Sequence, residues 1–166
     1  MGKHTAKILI CICLAAVMSL ALCSCGAKVT ADISGYGDAR IKVTGLKAAD
    51  FYVTPNELKE LECVSQTAEG KSKKAGKVKA VGPTLETVTE HYGGRLSDYS
   101  SVLLKAADGY SVSLSRSFIS AHSTIVISLA DGEKALTKSE RPARLLIPGA
   151  ESSYWIKMIT EIDYEK

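Results

Sequence analysis

Past residue 25 the chain carries a single cysteine, Cys63; the other four of its five stand at positions 11, 13, 23 and 25. A disulfide-stapled scaffold is therefore excluded for the body of the protein. Large aromatics are scarce, with two Phe and one Trp, so the core must be mostly aliphatic. No apolar stretch reaches the ~20 residues that cross a bilayer as a helix. The most apolar stretch, Ile8 to Leu22, has fifteen residues. An excess of one charge is also missing. Setting aside Lys3 and Lys7 leaves 19 of the 21 basic residues against 18 acidic ones. That balance gives no electrostatic reason to expect nucleic acid as a partner. No paired arginines precede the apolar stretch, and no internal repeat or low-complexity block interrupts the rest.

What is present at the start is a basic n-region, a short apolar h-region and small residues at a cut, the pattern of a secretory signal. Leu22-Cys23-Ser24-Cys25 closes it. A cysteine directly after a small residue, with leucine three places before it, resembles a bacterial lipobox. The resemblance implies cleavage before Cys25, lipidation of its thiol and a membrane partner held through the acyl chains. Two acyl chains anchor stably where one does not. The expected organisation is a lipoprotein signal peptide over 1–24, a tether over 25–40 and one domain over 41–166. The remaining 142 residues suffice for a proper core. The expected location is the extracytoplasmic face of a cell membrane.

Local patterns outline the domain. Ile41 to Leu46 alternates apolar and polar residues, as a strand does. Thr54-Pro55-Asn56-Glu57 is a capping box with proline at the first helical position, opening a helix to about Leu61. Glu62 to Gln66 is compatible with a strand. Ala68 to Lys79 holds five lysines and two glycines and predicts a solvated hairpin. Thr84 caps a second helix, Leu85 to Tyr92, stopped by Gly93-Gly94. Ser101 to Ala106 and Tyr110 to Leu114 flank the turn Asp108-Gly109 as a hairpin. Thr124 to Ala130, Arg144 to Ile147 and Ser153 to Ile162 read as further strands. Short strands with two helices and no strict βαβ order predict an α+β, β-rich single domain.

Several familiar chemistries are excluded by spacing. Gly35-Tyr36-Gly37 lacks the third glycine and preceding strand of a dinucleotide loop. Gly70-Lys71-Ser72 has Ser65 where a phosphate loop needs glycine. His91 ends a helix, and His122 has no carboxylate or cysteine at ligand spacing. Cys63 has two readings, a small buried residue on a strand or a reactive thiol. Tyr110 either packs beside its turn or faces a pocket. Arg144 and Lys157 read as ion-pair residues, with Glu140 or Glu161 as partners.

Three stretches, in order, resemble the oxidoreductase molybdopterin-binding domain of the sulfite oxidase family. They are Leu61-Glu62-Cys63-Val64-Ser65 followed by Val81-Gly82-Pro83-Thr84-Leu85; Asp108-Gly109-Tyr110-Ser111-Val112-Ser113-Leu114; and Arg141-Pro142-Ala143-Arg144-Leu145-Leu146-Ile147-Pro148-Gly149 followed by Trp155-Ile156-Lys157. The resemblance implies a mixed, β-rich fold with a molybdenum-bound molybdopterin. It makes Cys63 the metal ligand, a soft thiolate for a thiophilic metal. It sets Tyr110 near the metal as the catalytic residue, and Arg144 and Lys157 on the pterin and its phosphate. The implied activity is that of a molybdenum-pterin oxidoreductase acting on a small oxo-anion or sulfoxide-like substrate.

The chain departs from that pattern in places that bear on the cofactor. Val64-Ser65-Gln66-Thr67 follow the cysteine where the family has arginines. Ser139-Glu140 replaces His-Gly, and Tyr154 replaces a basic residue. A pterin phosphate calls for several charge-assisted donors. The export signal is also of the kind that carries unfolded chains, which cannot bring a buried cofactor along. These features favour a non-catalytic descendant of the fold, a module for a small ligand or a protein partner.

Overall fold

The computed structural model describes residues 26–69 and 76–166. The expected signal peptide, Cys25 and the lysines at 71, 73 and 74 fall outside the described residues.

β1 (Ile41–Thr44) and β2 (Phe51–Val53) form an antiparallel pair. The inward positions of β1, Ile41 and Val43, are fully buried, as its alternation predicts. Thr54 then caps α1 (Pro55–Leu58), and the capping box is complete. The Thr54 hydroxyl accepts from the Glu57 amide at 3.2 Å, and the Glu57 carboxylate accepts from the Thr54 amide at 2.7 Å. β3 (Cys63–Glu69) and β4 (Lys77–Pro83) pair antiparallel from Cys63 opposite Pro83 to Glu69 opposite Lys77, the predicted hairpin. α2 (Leu85–His91) is capped by Thr84, whose hydroxyl accepts from the Thr87 amide at 3.0 Å. β5 (Ser101–Ala106) and β6 (Ser111–Ser115) form the hairpin around Asp108-Gly109. α3 (Arg116–Ala121) was not expected. Ser115 caps it by accepting from the Phe118 amide, and a serine three residues before an apolar pair was its only sequence signal.

β7 (Val126–Ser128), β8 (Ala130–Asp131), β9 (Lys134–Ala135), β10 (Arg144–Leu146) and β11 (Ile159–Glu165) complete the chain. One sheet has the order β2-β1-β11-β5-β6. Its β1 and β11 run parallel, joining the first strand to the last, and its other pairs are antiparallel. A second sheet has the order β3-β4-β8-β9, and β7 pairs with β10. β4 and β7 approach at Gly82, where a Cβ would lie 2.1 Å from the Ile127 carbonyl oxygen. Only glycine permits that closeness, which is the physical reason for the Gly82-Pro83 step.

Two expectations are corrected. The segment read as a tether is built into the body. Ala27 makes an antiparallel bridge with Cys63, and Ala31, Ile33 and Tyr36 are buried against Val81, Ala130 and Leu136. The Tyr36 hydroxyl donates to the Leu129 carbonyl at 2.6 Å and accepts from the Leu136 amide at 3.1 Å. Burying side chains such as Ile33 and Tyr36 stabilises by about 1.5–3 kcal/mol each. Small, polar composition hid this, although the alternation of buried Ala31 and Ile33 with exposed Asp32 and Ser34 was its signal.

The strand expected over Ser153 to Ile162 also starts later. Ser152–Tyr154 is a 3-10 turn, and β11 begins at Ile159. Between them the Trp155 indole donates to the Ile147 carbonyl at 3.0 Å, and the Ile156 carbonyl accepts from the Leu145 amide at 2.7 Å. Those contacts hold 155–156 beside β10 and keep them out of the β11 ladder. No helix among the described residues is long and apolar enough to cross a membrane.

Candidate functional site

Cys63 opens β3, just after the turn that ends α1. It is 2 % exposed. Its sulfur lies 4.0 Å from the Leu58 carbonyl oxygen and 3.7 Å from that of Lys59. Burial, helped by the charge of Glu60, pushes its thiol up to about 11. Carbonyl oxygens and a carboxylate suit a protonated S–H and oppose a thiolate.

Tyr110 lies just after the Asp108-Gly109 turn and is 49 % exposed. The Asp108 carboxylate accepts from its amide at 3.0 Å, closing the turn. Its hydroxyl donates to the Ser153 carbonyl at 2.8 Å. That bond clamps the 3-10 turn from one side, while the Phe118 ring stacks on Tyr154 with centroids 4.4 Å apart.

Arg144 and Lys157 do come together, around a residue the sequence reading treated only as a bland partner. Arg144 opens β10 with its side chain 6 % exposed, and Glu140 is 11 % exposed. Arg144 Nη1 donates to Glu140 at 2.7 Å, and Lys157 Nζ, 52 % exposed, reaches the same carboxylate oxygen at 3.1 Å. The Thr137 hydroxyl donates to the other oxygen at 2.8 Å. Burial alone would push the Glu140 carboxyl up. The Thr137 hydroxyl and the charges of Arg144 and Lys157 outweigh it and hold the group at about 2. Arg144 Nη2 stands 3.7 Å from Asp131, an ion pair too long for a hydrogen bond. Arg144 Nε and Nη2 are buried with no hydrogen-bond partner. A cavity of 140 Å³ is lined by Arg144 with Val78, Leu146, Ser152, Trp155, Glu140 and Lys157.

The sequence candidates thus lie in three places. Cys63 borders a hollow of 550 Å³ with residues 26–29 and 59–62. Tyr110 borders another of 390 Å³ with Ser153 and Tyr154. The Ser152–Tyr154 turn separates that hollow from the Arg144 cavity: Ser152 walls the cavity, and Ser153 and Tyr154 wall the hollow. Tyr110 therefore bears on the cavity through the turn it holds. A further cleft of 240 Å³ is lined by Glu86, Arg116 and His122 among hydroxyls. Its bases are committed to backbone, Arg116 to the Tyr99 carbonyl and His122 to that of Phe118, both at 2.8 Å. No group of three or more His, Cys, Asp or Glu able to hold a metal is found among the described residues.

A thiolate-bound molybdenum-pterin group does not fit these residues. The sulfur that would bind the metal is buried against the Leu58 and Lys59 carbonyl oxygens. It also borders a different hollow from Arg144 and Lys157. The donor set at Arg144 does suit a small anion, because its buried guanidinium keeps two N–H-bearing nitrogens without hydrogen-bond partners and the residue lines a cavity.

The fold, an α+β, β-rich single domain, is shared with a solved structure. The comparison that shows it is with the crystal structure of the sulfane dehydrogenase SoxCD from Paracoccus pantotrophus, which matches with a TM-score of 0.63 over 78% of this chain at 18% identity. The match covers 38% of the SoxCD chain. At that identity the likeness establishes the fold alone. By sequence, no family model and no curated protein matches.

Proposed function

We propose that this chain is an extracytoplasmic lipoprotein, anchored through Cys25, whose sulfite-oxidase-type domain is a non-catalytic module that binds a small anion in the Arg144 cavity. The observation that carries the reading is the state of Arg144. Its guanidinium is buried, spends Nη1 on Glu140 and leaves Nε and Nη2 without hydrogen-bond partners beside a cavity. An unsatisfied buried polar group costs about 1–3 kcal/mol, more when charged, and a bound carboxylate, sulfate or phosphate oxygen removes that cost. Lys157, half-exposed beside the cavity, adds attraction for an approaching anion. The lipoprotein part rests on the n-region, the apolar stretch and the lipobox-like Leu22-Cys23-Ser24-Cys25. The near-balance of charge leaves nucleic acid without support as a partner.

The test uses full-length protein purified from its native host. Molybdenum and pterin content are measured alongside calorimetric titration with sulfate, phosphate and small carboxylates. Saturable anion binding, with molybdenum far below one atom per chain, is the expected result. Near-equimolar molybdenum, lost in a folded Cys63→Ser variant, would overturn it in favour of a molybdenum-pterin oxidoreductase acting on a small oxo-anion or sulfoxide-like substrate.

A further inference from the structure

The lipid anchor and the folded body lie very close together along the chain. Cys25 and Ala27 are two residues apart, and an extended chain spans at most ~3.3–3.6 Å per residue, so the link is no longer than about 7 Å. At Ala27 the chain is already bridged to Cys63. From there Ile33 and Tyr36 are buried in the body, and the Tyr36 hydroxyl is bonded to both Leu129 and Leu136. The sequence suggested slack at this point, and the structure has none.

We propose that the domain stands on the bilayer by its Ala27–Cys63 end, with Glu69 and Lys77 at the end of the β3–β4 pair farther from the lipid. The proposal rests on the lipidation of Cys25 argued above. Cys63 begins β3, and Glu69 ends it six residues later. At ~3.3 Å per residue the far end is about 20 Å from the anchored end. Lys28 and Lys59 flank the anchored end together with Glu60 and Glu62. That charge-balanced surface is neither drawn to nor repelled by headgroups, so the acyl chains set the contact.

The orientation has a consequence for the anion cavity. One of its walls is Val78, which pairs with Ala68, five residues along β3 from Cys63. That wall of the cavity is thereby set some 16 Å along the strand from the anchored end on the same ~3.3 Å rise.

The experiment places single fluorophores at Lys28→Cys, Glu60→Cys and Lys77→Cys in acylated full-length protein, with the buried Cys63 left in place. The protein is reconstituted into vesicles that carry a headgroup-linked nitroxide quencher. Quenching at 28 and 60 is expected to exceed that at 77 severalfold. A fifteen-residue Gly/Ser insertion between Gly26 and Ala27 should erase the difference, because its root-mean-square reach is ~20–23 Å. Mass analysis of the N-terminal peptide reports acylation in the same samples. Acylated protein quenched equally at the three positions, or most strongly at 77, overturns the orientation alone. Protein without acyl chains on Cys25 overturns the lipoprotein reading on which it rests.

Discussion

Glu140 and an incoming anion compete for the same guanidinium, and Glu140→Gln separates the two. In the native protein the Glu140 carboxylate meets Arg144 at 2.7 Å, Lys157 at 3.1 Å and the Thr137 hydroxyl at 2.8 Å. Removing one partner of a buried pair costs about 3–5 kcal/mol when nothing replaces it. Here the glutamine amide oxygen can still accept from Arg144, and Lys157 can turn to water, so the expected loss is about 2 kcal/mol. The effect on binding has the opposite sign. A unit charge ~4 Å away interacts with about 4 kcal/mol at an effective dielectric near 20. If only a third of that repulsion reaches the anion, its removal tightens binding about tenfold. Urea unfolding without added anion measures the first quantity, and titration with sulfate or phosphate measures the second. A folded Glu140→Gln protein with unchanged or weaker anion affinity would refute the assignment of the cavity.

The pH dependence gives an independent reading of the same residue. Its carboxyl is held at about 2, below its ordinary 4.5. The stabilisation is therefore complete above pH ~4.5 and drains as pH falls toward ~2. Native protein should lose more stability across that window than Glu140→Gln, which has no carboxyl to protonate.

The remaining expectations concern other residues. Cys63 should resist alkylation at neutral pH in folded protein, given its burial and a thiol pushed up to about 11; Cys63→Ala should cost ~1 kcal/mol or more by denaturation, and rapid labelling without denaturant would contradict its placement. Cys25→Ser should leave the protein unprocessed or release it from membranes on fractionation, and an unchanged membrane-bound, processed product would sink the lipoprotein reading. Gly82→Ala should destabilise by at least the upper part of the ~1–3 kcal/mol typical of overpacking, because its Cβ meets backbone 2.1 Å away at Ile127; an unfolding midpoint equal to native would show that β4 and β7 are not in such close contact.

Much of the secondary structure was legible because its causes are local. The caps at Thr54 and Thr84 place an acceptor opposite an amide three residues on, whatever the rest of the chain does. Asp108-Gly109 carries its own turn chemistry, with a left-handed φ of 86° at the glycine. The α+β, β-rich class was also readable from the short strands and helices, and the fold agrees with it. The site was legible in part. Arg144 and Lys157 were named, and both Glu140 and Glu161 were open as their partners.

Tertiary structure made that choice. β11 pairs with β5 and commits Glu161 to Lys105 at 2.7 Å, while the turn before β10 brings Glu140 to Arg144. It also put the Cys63 sulfur on the Leu58 and Lys59 carbonyls and so decided between a packed thiol and an accessible one. The largest revision, the docking of residues 27–36, depends on partners far along the chain. Tyr36 and Leu136 are a hundred positions apart. A residue's own neighbours set its dihedrals and its caps, but whether it is buried, and which charge it faces, depends on surfaces that meet only when the whole chain has folded.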